Sequence, residues 1–140
     1  MKIAFYEVNE SDQSFFMEKM PAGQELLFFG ESFNQLPQYD VEIISIRSKS
    51  KIGKEEIDKF NNLKLIASRT TGLDHIDAEY CKGKGIEVIN VPGYGETTVA
   101  EHAFALILAL CRHLCSSRII DGNGVKDLDQ YCGTDLYGKT

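Results

Sequence analysis

Two stretches of this chain combine residue types at spacings that could do chemistry. The first runs from Leu65 to Asp77, where an apolar strand-like run passes into a Thr70-Thr71-Gly72 turn and Asp74 stands where it would cap a following helix. Free amides of Thr71, Gly72 and Leu73 in such a turn would form a concavity suited to an anion such as a carboxylate. Gly72 would let the ligand approach the main chain closely; the plainer alternative is an ordinary turn whose glycine only supplies a positive φ. The second stretch runs from Val88 to Ala103, where a strand end meets Pro92-Gly93, and Thr98 with Glu101 three residues later reads as a capping box. Both turns are expected at the carboxyl edge of one parallel sheet, where ligands of α/β folds collect, so a shared cleft with Tyr94 projecting into it is the expectation.

Other candidates carry less. Cys111, His113 and Cys115 suggest a metal site, but on a continuous helix His113 would point about 200° away from Cys111, and no metal is expected. His75, His102 and His113 are the only histidines and read as helix-surface or interface residues, not as proton-transfer groups. The four cysteines contain no Cys-x-x-Cys pair and are expected as reduced thiols.

The elements that must position these turns follow from the pattern. Strand-like runs at 2–8, 25–29, 41–46, 63–68 and 87–91 alternate with helical patterns, the signature of an α/β fold built on a five-stranded parallel sheet. Ser11-Asp12 is expected to cap a helix through Met20, Gly53 to open a second with Ile57 and Phe60 on one face, and Asp74 to start a third that ends at Lys82–Gly85. Residues 30–39 read as a loop. A fourth helix, expected from Thr97 or Thr98 to about Arg118, is apolar on most of its circumference, so it needs more than one partner to cover it. After Asp121-Gly122-Asn123-Gly124 no clear element is expected.

Length and composition bound the function. With 140 residues, one compact domain can bury its own core, and two independent domains are excluded. Hydrophobic residues at 43% and charged residues at 26% are those of a soluble globular chain. A net charge of −6 argues against general nucleic-acid affinity. The longest apolar run, Ala103 to Cys111, is too short to span a bilayer, and the amino terminus lacks a signal-peptide pattern, so a cytoplasmic protein with no membrane partner is expected.

Arg69-Thr-Thr-Gly-Leu-Asp-His-Ile-Asp77, followed by Val91-Pro-Gly-Tyr-Gly-Glu-Thr-Thr-Val-Ala-Glu-His-Ala-Phe-Ala-Leu-Ile-Leu-Ala-Leu110, closely resembles the NAD-dependent D-2-hydroxyacid dehydrogenases, the D-lactate dehydrogenases among them. The resemblance implies a flavodoxin-like substrate-binding domain over residues 1–96. Residues 97–140 would then be a long crossover helix and a linker towards a Rossmann domain. It implies that Thr71 and Gly72 bind the substrate carboxylate through backbone amides, that Tyr94 lines the substrate pocket, and that Val99 lies near the nicotinamide. The family's catalytic Arg, Glu and His, and the Gly-x-Gly-x-x-Gly fingerprint that holds NAD, fall in later segments, so no catalytic residue is expected here. Gly93-Tyr94-Gly95 has no third glycine in register and is not expected to join a strand to a helix.

The leading expectation is therefore the amino-terminal part of such an enzyme. It would grip a small 2-oxo or 2-hydroxy acid, be inactive alone without tight NAD binding, and form a dimer or larger homo-oligomer through the long helix. The alternative is a stand-alone flavodoxin-like interaction module.

Overall fold

The computed structural model describes residues 1–37, 39–117 and 132–139. The chain divides into two compact units, Met1–Tyr94 and Gly95–Thr140.

The first unit holds five parallel strands: β1 (Lys2–Phe5), β2 (Glu25–Phe28), β3 (Ile43–Ile46), β4 (Leu65–Ser68) and β5 (Glu87–Ile89), in the order β2-β1-β3-β4-β5. This is the flavodoxin-like order expected, with a switch point between β1 and β3. Helices α1 (Glu10–Lys19), α2 (Lys54–Ile57) and α3 (Ala78–Gly83) lie in the crossovers. The period-two alternation of β1 divides the core: Ala4 and Tyr6 face a large cluster around Ile44, Ile46, Ile57, Ile66 and Cys81, while Ile3 and Phe5 face a smaller one. In the smaller cluster Phe5 stacks on Phe16 of α1 at 4.4 Å between centroids and on Phe28 of β2 at 5.2 Å. That aromatic contact, with Met20, holds a helix that has no fully buried residue of its own.

Several boundaries differ from the sequence expectation, each for a local reason. The first helix is capped by Asn9, whose side chain accepts from the Asp12 amide at 2.8 Å while Asp12 returns a bond to the Asn9 amide at 3.2 Å; Asp12 completes the capping box and does not begin the helix. Phe60 lies beyond α2 and packs on Phe33 at 5.7 Å. Phe33 sits in a short 3-10 turn, Phe33–Gln35, inside the stretch expected to be a loop, because its ring anchors that turn in the core. The third helix starts at Ala78 and not at Asp74: Asp77 is its cap, accepting from the Tyr80 amide at 3.0 Å. Residues ahead of it are drawn into an isolated parallel bridge, Ile52 with Ile76.

In the second unit, α4 spans Glu96–Cys111 and α5 spans Leu114–Ser117. Gly95 caps α4 without a side chain, so the Thr98–Glu101 capping box expected from sequence is not formed; Thr98 lies inside the first turn. The helix is shorter than expected because His113 takes a left-handed φ of 51° and its amide turns back to the Leu110 carbonyl. That break removes the helical argument used above to separate Cys111, His113 and Cys115. Arg112 pairs with Asp135 at 2.6 Å, and the Thr134 amide bonds the Cys111 carbonyl at 2.9 Å, which ties 132–139 to the end of α4. Of the expected helix only Arg118 lies outside the described residues, together with the Asp121–Gly124 breaker. No helix among the described residues is long and apolar enough to cross a membrane.

Candidate functional site

The turn after β4 is built so that its carbonyls are held and its amides are not. Val91 N–H donates to the Thr70 carbonyl (3.1 Å), Asn90 Nδ2 to the Thr71 carbonyl (2.6 Å) and Thr70 Oγ1 to the Gly72 carbonyl (2.7 Å). The peptides of this turn are trans, and in a trans peptide the C=O and the following N–H point in opposite directions. Fixing those three carbonyls therefore turns the amides of Thr71, Gly72 and Leu73 the other way. None of the three donates to an acceptor among the described residues. Amides in such a row form an anion-binding concavity even with no helix N-terminus behind them, and this corrects the expectation of an Asp74-capped helix.

Gly72 is not in the left-handed region, which removes the alternative that its glycine is there for a positive φ. A Cβ at that position would meet only the tip of the Asp74 side chain, Oδ2 at 3.3 Å, which would have to give by a few tenths of an ångström. Thr71 is exposed and its hydroxyl makes no hydrogen bond among the described residues. A cavity of about 610 Å³ opens beside the far end of the turn, lined by Ser48, Lys51, Asp74 and His75 among others. His75 is in the turn and half-buried, not on a helix surface as expected.

Tyr94 follows Gly93, whose φ is 77°, and is 66% exposed. Val99, in the first turns of α4, is 69% exposed. Thr70 and Thr71 are thus joined to the end of β5 through Val91 and Asn90, whereas no hydrogen bond holds the Tyr94 side chain among the described residues. Sequence reasoning gave no role to Ser68, Thr70 or Asn90. The signal was their type: short polar side chains at strand ends compete for backbone groups.

The neighbouring switch point is organised in the opposite way. Glu7, at a φ of 57°, turns its carboxylate onto the amides of Arg47 (3.1 Å), Lys49 (3.1 Å) and Ser50 (3.0 Å) and onto the Ser50 hydroxyl. Partial burial works against the charge, yet the hydrogen bonds from Ser50, Lys49 and Arg47 outweigh it and hold the carboxyl below its ordinary 4.5. Arg69 completes this edge, donating to the carbonyls of Tyr6 and Glu7 and to Ser45 Oγ while lying over the Phe16 ring. Burial pushes its guanidinium below the usual value, and with nearby Asp12 and Glu7 countering, the group stays a cation.

A pyrophosphate cradle would need a glycine-rich turn between a strand and a helix. Gly93-Tyr94-Gly95 does join β5 to α4, contrary to expectation, but Thr98 stands where the third glycine belongs. The described residues therefore do not fit the dinucleotide's pyrophosphate. Nor does any group of three His, Cys, Asp or Glu among them suit a metal ion.

A family model described as D-isomer specific 2-hydroxyacid dehydrogenase, catalytic domain, matches residues 3–131. A hydroxypyruvate reductase of Thermotoga maritima is 36% identical over 123 residues, which cover 88% of this chain and 40% of that protein. A D-3-phosphoglycerate dehydrogenase of Archaeoglobus fulgidus is 36% identical over 110 residues, 79% of this chain and 20% of that one. The crystal structure of D-lactate dehydrogenase from Aquifex aeolicus, complexed with NAD and lactic acid, superimposes with a TM-score of 0.82 at 32% identity, covering 96% of this chain and 41% of the other. The chain spans two fifths or less of the length of these curated relatives. With the motifs, the sheet order and a family match over nearly its whole length, the chain belongs to the D-isomer-specific 2-hydroxyacid dehydrogenases, in their catalytic-domain portion.

Proposed function

We propose that this chain supplies the carboxylate grip of a cytoplasmic NAD-dependent D-2-hydroxyacid dehydrogenase, taking small 2-oxo or 2-hydroxy acids of the pyruvate and lactate class. The observation that carries this reading is the row of undonated amides at Thr71, Gly72 and Leu73, backed by carbonyls that Val91, Asn90 and Thr70 hold. A carboxylate accepting two or three main-chain N–H bonds is bound by charge-assisted contacts that do not depend on side-chain identity. Gly72 leaves the approach open, and Tyr94 would border the acid. In the complete enzymes NAD would supply the hydride chemistry, and Val99 would border its nicotinamide. Because these residues do not fit the dinucleotide's pyrophosphate, no chemical step is assigned to this chain, and its own contribution is to bind and orient the acid. The domain division, residues 1–96 for the acid and 97–140 as the lead towards a nucleotide-binding half, belongs to the same reading. The family resemblance of the D-lactate dehydrogenase from Aquifex aeolicus supports the substrate class.

Titration of the ¹⁵N-labelled 140-residue chain with oxamate, a non-reactive 2-oxo acid analogue, tests the grip. Saturable shifts are expected at the amides of Thr71, Gly72 and Leu73; shifts centred elsewhere would refute it. Calorimetry with NADH should give no dissociation constant in the micromolar range, and the chain alone should not turn over pyruvate.

The helix α4 has no buried residue, and Phe104, Leu106, Ile107, Leu108 and Leu110 are all exposed on it. Side chains of this kind need a cover, which supports a homodimer or larger assembly through α4. Sedimentation equilibrium at tens of micromolar should find an oligomer that Ile107→Glu dissociates; a monomeric wild type would end this part of the reading.

A further inference from the structure

The orientation of the Gly72–Leu73 peptide rests on one hydrogen bond, from Thr70 Oγ1 to the Gly72 carbonyl, at 2.7 Å. Thr70 Oγ1 also lies 2.6 Å from Ser68 Oγ, and Ser68 Oγ lies 3.2 Å from His75 Nε2. Proton counting fixes the direction of every link. A carbonyl can only accept, so the single hydroxyl proton of Thr70 goes to Gly72. Ser68 must then donate its own proton to Thr70, which leaves Ser68 Oγ only as an acceptor towards the imidazole. His75 must therefore carry a proton on Nε2. Ser68 is 3% exposed, so its hydroxyl has no alternative partner in water.

We propose that His75, Ser68 and Thr70 form a directed relay of positioning residues that aims the Leu73 amide, while Asn90 aims the Gly72 amide through the Thr71 carbonyl (2.6 Å). The inference rests on the carboxylate reading above and deepens it: the grip is set from behind by side chains that never touch the acid. The relay needs a proton donor at His75 Nε2. Only removal of the donor breaks it.

The test uses the 140-residue chain and two independent readouts. Imidazole ¹⁵N shifts of His75 near pH 8 should show a proton on Nε2 and a bare Nδ1; the reverse tautomer overturns the relay whether or not oxamate binds. Oxamate titrations then compare variants. Thr70→Val should weaken binding at least tenfold and shift the Leu73 amide in the ligand-free chain, while Thr70→Ser stays within about twofold. His75→Leu should weaken binding severalfold and His75→Gln, which keeps a donor near Nε2, should recover most of it. If Thr70→Val unfolds the chain, the His75 pair still decides. Wild-type binding at 71–73 with His75→Leu and His75→Gln equal to it refutes the positioning role while leaving the grip standing. No oxamate effect at 71–73 in the wild type refutes the grip, and the tautomer readout then judges the relay by itself.

Discussion

Two loops at the carboxyl edge of the sheet present rows of main-chain amides, and they use them differently. After β3, the amides of Arg47, Lys49 and Ser50 are satisfied by the chain's own Glu7 carboxylate. After β4, the amides of Thr71, Gly72 and Leu73 meet no acceptor among the described residues, although the carbonyls of the same peptides are all held. The β1/β3 switch point is where a flavodoxin-like sheet ordinarily takes its ligand, and here that place is filled from within. The difference teaches that a concavity of amides is not by itself a binding site. What matters is whether the sequence supplies an internal anion.

Removing that anion should have the largest effect. Glu7→Ala leaves three amides and a hydroxyl without their acceptor, and a loss of about 2–4 kcal/mol is expected in urea unfolding. Glu7→Gly loses the same carboxylate but relieves the left-handed backbone, so it should be about 1 kcal/mol less damaging. If Glu7→Ala cost no more than a typical surface change, the two loops would not differ as described.

Breaking the other side of the comparison comes next. Gly72→Val should raise the oxamate dissociation constant at least tenfold, about 1.4 kcal/mol, by covering the amide row. Stability should change little, since a Cβ meets only the Asp74 carboxylate tip. Binding unchanged in a folded Gly72→Val chain would place the acid elsewhere.

The acid limb of the stability profile gives a smaller and sharper contrast. Glu7 is held below 4.5 in the folded chain, so its contribution is fully present above the unfolded value and is lost as pH falls through the lowered folded value. Urea titrations between about pH 5 and 2 should show a shallower decline for Glu7→Gln than for the wild type; parallel curves would mean that Glu7 does not feel the loop. The smallest effect is expected from Thr71→Ser, within about twofold in oxamate affinity, because Thr71 acts through its main chain.

How much of this was legible in the sequence depends on what each feature rests on. Strand existence and the parallel α/β class were legible because Ile3–Phe5, Ile43–Ile46 and Leu65–Ser68 are near-continuous apolar runs. The free amides of the Thr-Thr-Gly turn were legible through local composition. Its mechanism was not: Asp74 looked like a cap, but the Ile52–Ile76 bridge claims that stretch and moves the cap to Asp77. The Asn90–Thr71 bond joins residues 19 apart, and the Glu7 contacts join residues 40 to 43 apart, so no spacing rule reveals them. The break after α4 was hidden because Leu114 continues the apolar character past a left-handed His113.

Arg69 reaches back 63 and 62 residues to the carbonyls of Tyr6 and Glu7, so the edge that carries the amide row is closed by some of the longest-range bonds in the chain. Such loop closures cost entropy that local structure cannot offset early in folding. The amide row therefore belongs to the completed fold and to no partly folded form, and a ligand that binds only the native state stabilises it by mass action. A carboxylic acid at one hundred times its dissociation constant would add about 2.7 kcal/mol to the unfolding free energy. Seen this way, an acid held at this turn would also be a folding ligand, and its concentration would set how much of the chain stands folded.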